Sequence, residues 1–314
     1  MIRIAPVLIA GLILAGDFKV PGPEERIAAI GNTQGLPKTL KKALTPGEDF
    51  APIPSPESSD WLAVHKEEGQ TFQEFQATRK NVPDRTRNKI YLQPLGAFQD
   101  ESGPSLETLR EFASVFFALE VVVLKEVPID QDAFTPRVND YTKKRQLLTG
   151  DILTYLHGRL PRDAFCLLGV TLEDLYPDPS WNFVFGQASL TGRTGIYSFV
   201  RYDPAFYGQE MAKEETAALR QRRSLKVLAH ETAHMFAITH CVHFACLMNG
   251  SNHLDEADSR PLHLCPVCLR KLQSSVGFDV VERYQKLRDF YRKVEIQDEA
   301  DWLERRLKTI RGGP

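Results

Sequence analysis

Residues 230–268 constrain this chain more than any other stretch, because seven metal-ligating side chains fall there at ligand spacing. The first group is His230-Glu231-Thr232-Ala233-His234. Four residues of α-helix turn through about 400°, so the two imidazoles stand about 40° apart, one turn separated, and can reach one cation. Glu231 is offset from His230 by about 100°. That sets its carboxylate beside such a metal, where it can take a proton from metal-bound water. Leu225, Val227 and Leu228 supply the apolar surface that buries a helix of this kind.

His240 follows six residues after His234. On a continued helix it would point about 120° away, so it is a ligand only if the helix ends and the chain turns back. Three histidines leave one coordination position open, the layout of a catalytic zinc rather than a closed structural one. Zinc lowers the pKa of bound water to about 7 and polarises a scissile carbonyl, and Glu231 can shuttle the proton to the leaving amine. The expectation is a zinc-dependent peptidase with His230, His234 and His240 on the metal and Glu231 as general base.

Four of the five cysteines, Cys241, Cys246, Cys265 and Cys268, lie within the next 28 residues. Such clustering is either a metal site or two tight disulfides. The spacing is that of a four-thiolate zinc site, in which two short loops present paired sulfurs that close a tetrahedron; disulfides are favoured only if export precedes metal loading. The expected complement is therefore two zinc ions per chain. Cys166 sits in the apolar run 164–170 and reads as an inert buried residue. His243, His253 and His263 read as ordinary polar residues, and Asp255, Glu256 and Asp258 as a solvated helix turn.

The rest of the composition excludes little: 314 residues, 42% hydrophobic and 25% charged, suit a globular chain. With 39 basic against 41 acidic residues there is no electrostatic reason to expect nucleic acid as a partner. Met1-Ile2-Arg3 followed by apolar Ile4 to Ala15 matches a secretory signal or N-terminal anchor over 1–16, so export or membrane tethering is expected. Prolines at 21, 23, 37, 46, 52, 54 and 56 predict an extended stretch over 17–60 with at most one short helix, within an irregular leader that runs over 17–85.

From residue 86 the pattern predicts a strand at 89–95, a helix to about Ala118, a strand at 120–127, a helical stretch near 140–159 and a strand at 164–170. This order implies an α/β layer with an at least partly parallel sheet. Residues 183–202 read as a β-hairpin around Gly192 and Gly195. Helices are expected over roughly 212–236 and 278–294, giving a catalytic domain at 86–275 that holds both metal sites and a C-terminal helical segment at 276–314.

The run His230–Cys241, with Cys246-Leu247-Met248 and Cys265-x-x-Cys268, resembles the archaemetzincin family of metallopeptidases. Met248–Leu262 and Ser180–Thr191 are similar to its archaemetzincin-2 branch in particular. The resemblance implies a metzincin-like zincin fold, α/β (α+β), with a mixed twisted sheet, an active-site helix and a four-cysteine zinc clasp. It also implies that Met248 packs beneath the catalytic metal and that an extended peptide lies along an edge strand, for which the 183–202 hairpin is the candidate. Two departures stand out. Ala237 occupies a turn position where the family usually has glycine, and relatives are mostly intracellular. Ala237 keeps a second reading in play, a zinc-stabilised scaffold with little turnover. A nucleic-acid zinc ribbon is disfavoured, since the cysteine region is not basic and Phe244 is the only aromatic near it.

Overall fold

The run Ala164–Thr171 forms a strand in which every residue is buried, and a strand covered on both faces belongs inside a mainly parallel sheet. The computed structural model, which describes residues 18–98 and 104–312, places it there. In chain order the elements are helices α1 (Pro23–Ile30), α2 (Lys38–Leu44), α3 (Trp61–Val64) and α4 (Phe72–Ala77), then β1 (Lys89–Leu95), α5 (Leu106–Phe117), β2 (Glu120–Val123), β3 (Pro136–Val138) and β4 (Arg145–Leu148). There follow α6 (Thr149–His157), β5 (Ala164–Thr171), β6 (Asp174–Tyr176), β7 (Gly186–Ser189), β8 (Thr194–Ser198) and α7 (Lys213–His234). The chain continues through α8 (Leu254–Ser259), α9 (Pro266–Val276), α10 (Val280–Lys293) and α11 (Gln297–Arg311). Two compact units result, one from Asn81–Met235 and one from the residues up to Lys80 together with those from Phe236 onward. The expected leader at 1–16 lies outside the described residues.

In the unit Asn81–Met235, five strands run in the order β2-β1-β5-β8-β7. Neighbours are parallel except β7, which pairs antiparallel with β8 through Gly186↔Tyr197 to Ser189↔Thr194 and forms the edge. The mixed sheet and the hairpin are as the sequence implied. Leu156, Leu167 and Ile196 belong to the core beneath it, and α7 packs against α5 and β8. A smaller sheet, β3-β4-β6, is tied by the buried pair Arg201–Asp174, whose two hydrogen bonds are each 2.7 Å. Gln146 adds a third bond to Asp174 at 2.8 Å, so the buried carboxylate is well satisfied.

The other unit is helical. The Arg306 guanidinium on α11 is buried against Asp49 at 3.0 Å and donates to the Ala43 carbonyl at 2.9 Å. Trp302 stacks on His263, centroids 3.6 Å apart and planes 9° apart, and Glu299 holds His263 Nδ1 at 2.8 Å.

Three local expectations are corrected. Residues 17–60 contain two short helices, α1 and α2, where at most one was expected, because prolines stand at helix starts: Pro23 opens α1 and Pro37 caps α2. The stretch near 140–159 is helical only from Thr149. Arg145–Leu148 is instead drawn into a ladder with β3 and β6, tertiary pairing that local periodicity does not report. The strand at 120–127 ends at Val123, and Val127 makes an isolated bridge to Leu95 just before Pro128.

Candidate metal centres

Helix α7 carries Glu214 and Glu215 in its first turn, where acidic groups favour the helix dipole, and His234 in its last. Its final turns bury Leu225, Leu228, Ala229 and Ala233 and leave His230, Glu231 and His234 half-buried. The Nε2 atoms of His230 and His234 lie 3.1 Å apart, the rings edge to face. Two nitrogens bound to one tetrahedral zinc at about 2.0–2.1 Å stand roughly 3.3 Å apart, so this pair fits the ion. Tyr197 on β8 is fully buried in the same unit, its ring filling the space a side chain at Gly195 would need. Burial, with the Glu231 charge added, pushes its phenol well above the usual range.

Helix α7 stops at His234, where the Met235 N–H closes a tight last turn onto the Thr232 carbonyl at 3.0 Å. Ala237 then takes a left-handed conformation, φ 60°. This is the conformation glycine serves at low cost. Gln70 brackets the turn: its Nε2 donates to the Ala237 carbonyl at 3.4 Å and its Oε1 accepts the Thr239 N–H at 3.5 Å. His240 follows, with Nδ1 2.8 Å from Glu67 Oε1 and the Trp61 ring edge-on at 5.2 Å.

Asp60, His253 and Glu256 also stand at ligand spacing, but their bonds are structural. His253 Nδ1 caps α8 by accepting the Glu256 N–H at 3.2 Å, while its Nε2 faces Asp60 at 3.1 Å. Glu256 is buried and pairs with Arg260, which corrects the reading of residues 255–258 as a purely solvated turn. Glu67 and Trp61 were missed from the sequence, where they sit in the proline-rich stretch without any motif to mark them.

The four cysteines of the second group are all buried, with sulfurs within 4.8 Å of one another. Asn249 builds the first loop: its Oδ1 accepts the Cys246 N–H at 2.8 Å and its Nδ2 donates to the carbonyls of Cys241 and Phe244. The second pair comes from the start of α9, where Cys265 is the cap and Cys268 lies in the first turn. A helix N-terminus favours thiolates there. Disulfides do not form, since all five cysteines are free thiols and the Cys241 and Cys265 sulfurs are 3.6 Å apart, against about 2.05 Å for a bond. Two sulfurs on one tetrahedral zinc at about 2.3 Å would stand roughly 3.8 Å apart.

The charges agree with this fit. Hydrogen bonds from Cys246, Cys265 and Cys268 hold the Cys241 thiol well below its usual range. Burial, together with hydrogen bonding and the Cys241 charge, pushes Cys265 well above it. Thiolates packed this closely repel one another, and a cation among them relieves that repulsion.

A family model described as Peptidase family M54 matches residues 134–274. Archaemetzincin-2 of Homo sapiens is 40% identical over 280 residues, covering 81% of this chain and 78% of that protein. Archaemetzincin-1 of Homo sapiens is 36% identical over 256 residues, covering 73% and 51% respectively. The crystal structure of archaemetzincin from Methanopyrus kandleri aligns with 63% of this chain and 99% of its own, at 29% identity and a TM-score of 0.47. Identity at this level over most of both chains shows that the protein belongs to the archaemetzincin family of zinc metallopeptidases.

Proposed function

We propose that the chain hydrolyses peptide bonds at a zinc held by His230, His234 and His240, with Glu231 as general base, and that Cys241, Cys246, Cys265 and Cys268 hold a second, structural zinc. The observation that carries this is the 3.1 Å approach of the His230 and His234 Nε2 atoms with the carboxylate of Glu231 next in sequence. For His240 the support is local: five residues separate it from His234, and the left-handed Ala237 breaks the helical path between them. Zinc, when bound, supplies Lewis acidity toward the scissile carbonyl and makes the attacking water acidic.

The remaining steps belong to side chains. Glu231 accepts the proton of the attacking water and passes it to the leaving amine. Tyr197 keeps its proton at any ordinary pH, so it adds no charge beside Glu231. Strand β7, half-buried and at the sheet edge, offers its backbone to an extended peptide. Such addition requires an unfolded segment, so the substrate class is peptides or unstructured protein. Residues 1–16 extend the reading to export or membrane tethering, and N-terminal sequencing of the recovered protein checks for their removal.

The experiment is zinc quantification combined with cleavage of a mixed peptide library. Glu231→Gln should cut hydrolysis by about 10²–10⁴-fold, the usual weight of a general base, with two zinc ions retained. If the unmodified protein loads both ions yet cleaves nothing, the scaffold reading takes its place.

A further inference from the structure

We propose that Glu67 is a positioning residue for the catalytic metal, fixing the tautomer and orientation of His240 from a strap, residues 67–70, that lies along the third-ligand arm. The proposal rests on His240 being a zinc ligand. Glu67 Oε1 is 2.8 Å from His240 Nδ1, and the two side chains are only 25% and 21% exposed. An ionised carboxylate can only accept, so Nδ1 carries the proton and donates. The imidazole lone pair then belongs to Nε2, the atom a cation takes. A carboxylate behind a ligating imidazole also raises its basicity.

The surroundings hold the ring in that orientation. Trp61 meets His240 edge-on at 84°, and a flipped imidazole would turn a C–H toward the Glu67 carboxylate. Three residues along the strap, Gln70 brackets the Ala237 turn. Between them Gly69 has φ +74°, and a Cβ there would overlap the Val242 side chain and come within 3.3 Å of His243. The strap backbone therefore lies directly on the residues that follow His240. Buried Lys271 anchors it by donating to the Gln70 carbonyl.

The test compares full-length protein with Glu67→Ala and Glu67→Gln. Each is loaded with zinc, titrated with a chelator of known affinity, and its His240 tautomer is read by ¹⁵N NMR. Glu67→Ala should keep the thiolate-bound ion and bind the histidine-bound ion about 10- to 100-fold more weakly, with mixed His240 tautomers. Glu67→Gln retains an oxygen acceptor, so it should keep the Nδ1–H tautomer and recover most of that affinity. Unchanged affinity and tautomer in Glu67→Ala overturns the proposal and leaves the hydrolase reading standing. Equal loss of both ions in the two variants also overturns it, since Glu67 then serves folding alone. Unmodified protein that binds only the thiolate ion overturns the proposal together with the reading beneath it.

Discussion

Both carboxylate oxygens of Glu256 accept the backbone N–H of Trp61, at 3.1 and 3.0 Å. The same carboxylate takes the Asn252 N–H at 2.7 Å and the Arg260 guanidinium at 3.2 Å. One buried acid thus fixes the start of α3, the start of α8 and the tryptophan that flanks His240. Removing it takes one carboxylate from a guanidinium whose side chain is only 7% exposed and leaves the Trp61 and Asn252 N–H groups without that acceptor. Glu256→Ala should lower the unfolding free energy by about 3–5 kcal/mol, the usual cost of breaking a buried pair from one side. Urea unfolding checks this, and a loss below about 1 kcal/mol would show the carboxylate to be dispensable.

Ala237 sits where glycine is at ease. A left-handed L-residue costs roughly 1–2 kcal/mol, while glycine adds up to about 1 kcal/mol of chain entropy to the unfolded state. Ala237→Gly should therefore stabilise by about 0.5–1 kcal/mol, seen as a higher urea midpoint with the slope unchanged. No shift in midpoint would mean that the Gln70 bonds already offset the strain.

Alkylation should separate the cysteines into two classes. In zinc-loaded protein none should react, since all five are buried. After chelation Cys241, Cys246, Cys265 and Cys268 should react, while Cys166, inside β5 with its thiol pushed up by burial, stays unlabelled. Mass spectrometry counts the adducts. Labelling of Cys166 at the same rate would show that the sheet opens together with the thiolate site.

Alkaline pH should weaken the fold in a defined window. Burial pushes the Tyr284 phenol up to about 12 from the usual 10.0. The unfolded chain releases that proton near pH 10 and the folded chain near 12. Stability is therefore intact below pH 10 and falls as pH rises between the two, by up to about 1.4 kcal/mol per unit for one group. The hydroxyl is buried without a hydrogen-bond partner, so Tyr284→Phe should change little at pH 7. At pH 11 it should be more stable than the parent by about 1.4 kcal/mol. Parallel pH curves for the two proteins would rule this phenol out.

Helix α7, strand β5 and the cysteine clasp could be read from the sequence because their signals are local: a 3.6-residue period, an unbroken apolar run and fixed ligand spacings. Strand β4 could not, because Gln146 is a strand residue only by virtue of its partner Asp174, 28 positions away. Glu67 was invisible for the same reason. It lies 173 positions before His240, in a stretch read from its prolines as an irregular leader and carrying no motif. Glu256 looked solvated because two neighbouring acids shared its turn, and only packing against Trp61 and Arg260 distinguishes it.

The division of the chain also orders its synthesis. Residues 81–235 are contiguous and can mature on the ribosome as soon as they emerge, whereas Asp49 waits for Arg306, more than 250 residues downstream. For most of translation helices α1, α2 and α4 lack α9 and α11, the later helices on which they pack, so their apolar faces are the last to be covered.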